Sequence, residues 1–552
     1  MRPRRSERCV AVAALALLAA LAPLQSQQPR FFRDDPLATE PETQDASVAQ
    51  PWEINLAYDL AHAYTVTGRR PPARRRAGNV NTIDEVPDSS WFTNRIGSRP
   101  VAAAEIAIGP NRLPPPEVSP LTVIREKSSG FAAGFTARDA TGATWFVSFD
   151  APSNPEGATG ALMVATKLFW ALGYNQVEYH LASLRRDDIT IDPKATVRRP
   201  SGRRTPMKAD DLDEVLSRAT MAPGGVYRIA AGRGLAGRIL GGFRYEGTRP
   251  DDPNDVVEHQ HRRELRALRV FGAWVNLTDM KAGNTLDTVV TEDGRSRVRH
   301  YLQDVGSTFG VGANGPHDWS EGWEYVVQTA PALRRLFSLG FAFSRWQLMP
   351  VDEHPAIGRF EGEAFDPDTW KPRAPVRAYV EMRDDDAFWA ARRVMAFSDE
   401  AIRAAVATAQ FSDPRASRLL ETVLIKRRDR IGQIYLPRIT PIVEPALDAT
   451  GTVTFRNAAV DHAVATAPQR YHARWFHFDN AAGTSRPLGE GSGTTPSLAA
   501  PVALPDAAGA FVRVDLSADH DRHAAWRRPI ETYFRREPSG WKLVGLVRQT
   551  DE

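Results

Sequence analysis

Cysteine is almost missing from this chain. Of 552 residues one is Cys, at position 9. Everything downstream is therefore excluded from disulfide frameworks, thiol nucleophiles and Cys-ligated zinc. An excess of one charge is also missing: 70 Lys and Arg stand against 67 Asp and Glu, a formal net charge of +3. With no global field there is no electrostatic case for nucleic acid as a partner. The one dense basic run, RRPPARRR at 69–76, sits among prolines and reads as a solvated loop. Long apolar runs are missing beyond the first residues, so no later segment is expected to span a membrane. The chain also lacks a G-x-S-x-G elbow, which removes the usual support for a Ser-His-Asp hydrolase.

What is present begins at the N-terminus. MRPRRSER is a positive n-region, CVAVAALALLAALAPL an apolar stretch and QSQQP a small, polar exit. The pattern predicts a signal peptide over 1–26, cleaved after Ala22 or Ser26. The mature protein is then expected to be periplasmic or extracellular and not transmembrane. Hydrophobic content of 42% and charged content of 25% are those of a globular chain. Its length predicts two to four domains stabilised by burial.

Composition then divides the chain. Residues 27–120 predict an extended N-terminal arm, clipped to a core by Trp91 and Phe92. A ligand-facing loop at Asp88, Ser89 and Ser90 stays open as the alternative. Residues 121–249 show three to five short strands and one inserted helix, GALMVATKLFWALGY. Residues 250–440 are mainly helical. HRRELRALRVFGAWV is expected to face the core with its arginines outward. DAFWAARRVMAF, SDEAIRAAVATA and SDPRASRLLETVLIKRRDRIGQIYL follow, the last two opened by Ser-Asp capping signals. Residues 441–552 alternate as short strands and predict an all-β sandwich. The Pro-rich LPRITPIVEP around Thr440 is expected to be a junction that a protease could cut. The fold class is thus α+β with a β-sandwich appended.

Among the chemical motifs, GRGLAG at 232–237 matches G-x-G-x-x-G after a strand, but a dinucleotide site needs a helix directly after it. Gly241, Gly242 and Pro250 break any such helix, so a hairpin between strands is expected instead. His259 with His261, and the DHDRH run at 519–523, come without a clear third partner and are expected to be capping or solvated rather than metal ligands. The stretch AWVNLTDMKAGNTLD is different. Phosphoryl transfer needs metal ligands to neutralise phosphate charge and a carboxylate beside the attacking hydroxyl. Asp279 would orient or deprotonate that hydroxyl. Asn284 and Asp304 would hold Mg²⁺ through oxygen, the hard ligand it prefers. NTLDTVVTEDGRSRVRHYLQDV reads as a hairpin around Asp293-Gly294 that returns Asp304 beside Asn284.

DMKAGN resembles the Asp-x-Lys-x-x-Asn catalytic loop of protein kinases, and QDVG resembles their Asp-Phe-Gly metal motif. Over 121–440 the order of a strand-rich lobe with one helix and then a helical lobe is similar too. The nearest flavour is the atypical branch that includes HipA-type toxin kinases and spore-coat CotH-type kinases, and the whole chain resembles a group of uncharacterised exported bacterial proteins. The resemblance implies a two-lobed kinase-like domain that binds Mg²⁺ and ATP. It also implies Lys281 beside Asp279 in the catalytic loop, and transfer to a hydroxyl of a protein or glycan acceptor. The chain departs from the pattern at several positions. Leu277 and Thr278 stand where His-Arg would precede Asp279, and Ser148 where a strand would offer its phosphate-binding Lys. Leu162 is at the centre of the helix that should carry the partner Glu. Lys127, in REKSSGFAAGF, and Glu156, at the helix start, remain to fill that pair. Two functions stay open: a phosphotransferase, and a catalytically inactive pseudokinase scaffold that binds a protein or glycan.

Overall fold

The computed structural model describes residues 29–550 apart from 128–131, 200, 313, 329–332, 335, 339–342, 350 and 352. The signal-peptide reading of 1–26 lies outside the described residues. The architecture is mixed α/β, with one large mixed sheet and several antiparallel ones. In the large sheet the strands run in the order Tyr179–Arg185, Val226–Arg233, Thr144–Phe149, Gly134–Arg138, Leu121–Glu126, Ile189–Arg198 and Arg204–Pro206, with Met221–Ala222 pairing Val226–Arg233. Leu121–Glu126 and Ile189–Arg198 run parallel. These eight strands exceed the expected three to five. The added ones bury little: only Ile189 and Ala195 of Ile189–Arg198 are buried, and only Leu184 of Tyr179–Arg185. A strand that buries so little leaves no alternation to read.

The helix Gly157–Leu172 is buried at every residue but Ala158, as a helix with apolar residues on every face must be; its Thr159, Thr166 and Lys167 are buried with the rest. Gly173 ends it at φ 125°. A side chain there would collide with the Phe92 ring, so the glycine both stops the helix and admits the arm. Trp91 stacks on His300 with ring centroids 3.5 Å apart, and both anchor residues are buried, as expected.

The predicted helices form at Arg263–Val275, Asp384–Met395, Asp399–Ala407 and Pro414–Tyr435. Ser398 Oγ accepts from Ala401 N at 3.1 Å; the last helix is capped one residue later than expected, by Asp413, which accepts from Arg415 N at 2.8 Å. The outward arginines are a correction. Arg262, Arg263 and Arg266 are buried, and Arg263 meets Asp84, Asp385 and Asp386 at 3.0 Å each. Arg266 shares Asp386, also at 3.0 Å. Guanidinium groups survive there because every charge is paired; an unpaired one would cost several kcal/mol, roughly 3–5.

Strands Thr285–Glu292 and Arg295–Leu302 form the expected hairpin, turned by Asp293 (φ 51°) and Gly294 (φ 73°). Both positive dihedrals are those an Asp-Gly turn of this kind demands. Strand Arg238–Gly241 adds to its side, which corrects the reading of GRGLAG. The segment carries the chain from the large sheet to this small one, and its flanking strands do not pair with each other. No helix follows it directly.

After Tyr435 come a three-stranded sheet (Ile442–Leu447, Thr452–Asn457, Ser497–Ala499) and a five-stranded antiparallel one (Arg470–Asp479, Thr484–Gly493, Phe511–Asp519, Ile530–Glu537, Gly540–Arg548). Phe455 of the first meets Tyr471 of the second at 5.1 Å between rings. The junction expected near Thr440 is instead interior. Thr440 is buried and its hydroxyl donates to Arg528 O at 2.6 Å, while Trp526 Nε1 donates to Pro437 O at 3.0 Å. The prolines there mark the change from helix to strand inside a seam. Among the described residues no helix is long and apolar enough to cross a membrane.

Candidate functional site

The site is assembled by a helix end and a hairpin. Helix Arg263–Val275 stops because Asn276 turns left-handed, φ 56°, a conformation Asn tolerates better than most residues. Leu277 N then bonds back to Gly272 O at 2.8 Å, and Thr278–Lys281 swing away from the helix axis. A single 3₁₀ turn, Ala282–Asn284, feeds the first hairpin strand. At the hairpin's far end Gln303 N and Asp304 N both donate to Asn284 O, each at 3.0 Å. Asn284 Nδ2 donates to Asp279 O at 2.7 Å. Asp279, Asn284 and Asp304 are thus one hydrogen-bonded unit. A carbonyl can only accept, so the amide nitrogen of Asn284 must face it and Oδ1 is turned the other way.

Asp304 is exposed, with Oδ1 accepting from Gly306 N at 3.1 Å. Leu162 lies over this turn: a Cβ on Gly306 would sit 3.0 Å from Leu162 Cγ. Lys127, just past strand Leu121–Glu126, faces the same carboxylate. Burial pulls its ammonium below the usual lysine range, and Asp304 opposes that pull. Burial and Asp304 together push the Tyr179 phenol up. Ser148 stands directly opposite Gly134 in the sheet. Opposed residues share a face, and a Cβ on Gly134 would lie 3.4 Å from Lys127 Cδ. Ser148 therefore leaves the sheet on the face that Lys127 crosses. Glu156 is engaged elsewhere, accepting from Ser412 N at 2.9 Å and lying 3.9 Å from Arg228.

Asp279 carries two cations. Lys281 Nζ is 2.7 Å from its Oδ2 and Arg373 NH1 is 3.4 Å away. Burial pushes this carboxyl up, but Lys281 and Arg373 outweigh it and hold the pKa below the usual aspartate value. Arg373 is itself fixed by Glu321, through bonds of 2.9 and 3.0 Å. Glu321 also accepts from Thr278 Oγ1 at 2.6 Å, and Arg373 N donates to Thr278 O at 2.9 Å. Beneath them burial drives His317 down to about 4, with Glu321 opposing, so its ring is neutral at pH 7. Sequence reasoning missed Arg373 and Glu321. Both lie on irregular segments far along the chain from Asp279, with no local pattern to mark them.

The remaining sequence candidates spend their polar groups internally. Asp88 Oδ1 accepts from Asn94 N at 2.7 Å, and Ser90 Oγ donates to Glu42 at 2.6 Å. His259 lies 2.7 Å from Asp255, and His261 lies 2.6 Å from Arg266. His520 and His523 pack on Trp526 at 4.6 and 5.0 Å. Among the described residues no three His, Cys, Asp or Glu gather as a metal cage. The set of one carboxylate and one amide oxygen still fits Mg²⁺, which commonly takes one or two protein oxygens and fills its shell with phosphate and water.

No family model matches the chain, and no curated protein matches it. Two solved structures are similar to it. Both are of a kinase. One is the crystal structure of the Golgi casein kinase with Mn/ADP bound, 9% identical, covering 57% of this chain and 73% of that one with a TM-score of 0.30. The other is the crystal structure of the Golgi casein kinase, 10% identical, covering 72% of this chain and 94% of that one, also with a TM-score of 0.30. Similarity at this distance carries no functional argument, which rests on the chain's own residues.

Proposed function

We propose that the protein is a kinase-like phosphotransferase that binds Mg²⁺-ATP and transfers a phosphoryl group to a hydroxyl. The observation that carries this reading is the backbone of Asn284 receiving both Gln303 N and Asp304 N, while its side chain bonds to Asp279. Two metal-type oxygens and a hydroxyl-orienting carboxylate are thereby locked together. Bound Mg²⁺ supplies charge neutralisation on the phosphates. Asp304 and Asn284 Oδ1 would hold it. Lys127, within electrostatic reach of Asp304, would hold phosphate oxygens in place of a strand lysine. Asp279 accepts the acceptor's hydrogen. Its lowered pKa makes it an orienting group more than a strong base, because proton affinity falls with pKa. Lys281 and Arg373 put positive charge beside the transferred group. Export through residues 1–26, the two-lobed layout and the C-terminal sandwich belong to the same proposal.

The scaffold reading draws on Leu162 covering the Asp304 turn and on Glu156 being engaged by Ser412 and Arg228. Nucleotide binding separates the two. Asp304→Ala is expected to abolish Mg²⁺-dependent nucleotide binding with the fold intact, since an exposed site carboxylate adds little stability. Asp279→Ala is expected to keep binding and lose transfer. Calorimetric titration of ATP with and without Mg²⁺, paired with a phosphotransfer assay, measures both. A wild-type protein that binds no nucleotide under either condition makes the scaffold the better account.

A further inference from the structure

Asp279, Lys281 and Arg373 also line a chamber of about 400 Å³, a size typical of small-molecule sites, about 300–1,000 Å³. Its opposite wall is built by the N-terminal arm. Helix Leu56–His62, capped by Asn55 and continued by Ala63–Thr67, is tied across the opening. Asp59 lies 3.2 Å from Arg244, His62 lies 2.6 Å from Glu246, and Tyr64 OH donates to Arg373 O at 2.6 Å.

Two features describe what the chamber takes. The charged side chains of its lining are partnered: Asp59 with Arg244, His62 with Glu246, Asp279 with Lys281 and Arg373, and Arg377 with Glu381. A charged ligand would have to break one of these pairs and desolvate itself. The surface between them is apolar, supplied by Leu56, Leu60, Ala63, Met280, Pro375 and Val376. No residue of helix Leu56–His62 is buried; Leu56 and Leu60, one helical turn apart, remain 46% and 54% exposed. Aliphatic side chains held open on a pinned helix beside a carboxylate form an apolar pocket with one polar end.

We infer that this chamber is the acceptor site and that the acceptor is an uncharged molecule carrying its hydroxyl on an apolar body, not a polyhydroxylated glycan. The inference rests on the phosphotransfer reading of Asp279. The acceptor oxygen forms a bond to the γ-phosphorus of a nucleoside triphosphate as the bond from that phosphorus to the β-γ bridging oxygen breaks. The nucleoside diphosphate leaves with the electron pair, and the hydroxyl proton passes to Asp279. The arm helix is then a specificity wall.

The test needs no turnover. The purified protein, without nucleotide, is titrated calorimetrically with 2-naphthol, and with 2-naphthoate as its charged counterpart. Saturable binding of one naphthol is expected, at least about ten-fold tighter than naphthoate. Ala63→Trp, which fills the chamber, is expected to weaken naphthol by at least about ten-fold. Leu60→Asp changes an exposed side chain with little risk to folding, and is expected to do the same. Absence of saturable naphthol binding, equal binding of naphthoate, or indifference to both variants overturns the inference while leaving Mg²⁺-nucleotide binding as the separate measure of phosphotransfer. Naphthol binding in a protein that binds no nucleotide overturns the acceptor role.

Discussion

Lys127 and Lys167 are both drawn below the usual lysine range by burial, and differ in what opposes it. For Lys127 the opposing charge is Asp304, which places its ammonium within electrostatic reach of the candidate site. Ser148→Lys would bring a second cation onto the same face of the sheet. That variant is expected to weaken nucleotide binding by about ten-fold, roughly one crowded like-charge contact; tighter binding in the same titration would mean that Lys127 does not hold phosphate. Lys167 is 1% exposed and donates to Ile108 O at 2.8 Å. Burial brings its pKa from 10.5 to about 8, with Glu178 opposing. Between these values the unfolded chain binds more protons than the folded one, so stability rises with pH from about 8 to 10.5. Lys167→Met removes this penalty. The variant is expected to be more stable than wild type by about 2 kcal/mol at pH 7, after allowing for the lost hydrogen bond. The advantage should disappear above pH 10.5. Urea denaturation of both proteins at the two pH values checks it, and a pH-independent difference would exclude the explanation.

At the scale of elements, the loop that carries Asp279 is held from two sides. The hairpin holds it through Asn284. The irregular segment around Glu321 holds it through Thr278 and Arg373. The first restraint was legible in the sequence, because Asp293-Gly294 and the flanking alternation specify a tight turn and hence the return of Asp304. The second was not, since Glu321 has no periodic neighbours. Glu321→Gln keeps the shape and removes the charge that anchors Arg373. Nucleotide affinity is expected to stay within about three-fold, whereas the transfer rate falls about ten- to a hundred-fold as Asp279 loses its fixed orientation. Single-turnover kinetics beside binding separate the effects. Equal losses in both would show that Glu321 only stabilises the fold.

At the scale of the whole molecule, the arm touches the hairpin, the helices and the five-stranded C-terminal sheet. Phe31 packs on Tyr533 in the C-terminal sheet at 5.0 Å, and Trp91 stacks under the hairpin. Asp84 meets Arg263 at 3.0 Å and Arg548 at 3.4 Å. Residues of the last long helix and of both C-terminal sheets share one apolar core, among them Ile431, Tyr435, Val453 and Trp475. With Thr440 inside that seam, limited proteolysis is expected to spare residues 436–443, and the helical and C-terminal parts are expected to unfold in one transition. Calorimetry showing two separate transitions, or release of a fragment cut at Thr440, would mean that the C-terminal sheets fold alone.

Local chemistry determined what the sequence could specify by itself. The buried, mainly apolar helix, the Ser398 cap, the Asp-Gly hairpin and the order of Asp279, Asn284 and Asp304 each depend on residues close together in the chain. Only the tertiary structure decided which cations stand at that site. It brought Arg373 to Asp279 and Lys127 within electrostatic reach of Asp304, buried the arginines of helix Arg263–Val275, and laid the arm over the chamber that Asp279 lines. Such contacts join residues far apart in the chain through packing and charge pairing. Neither leaves a period in the sequence, because each partner satisfies its own local geometry equally well alone.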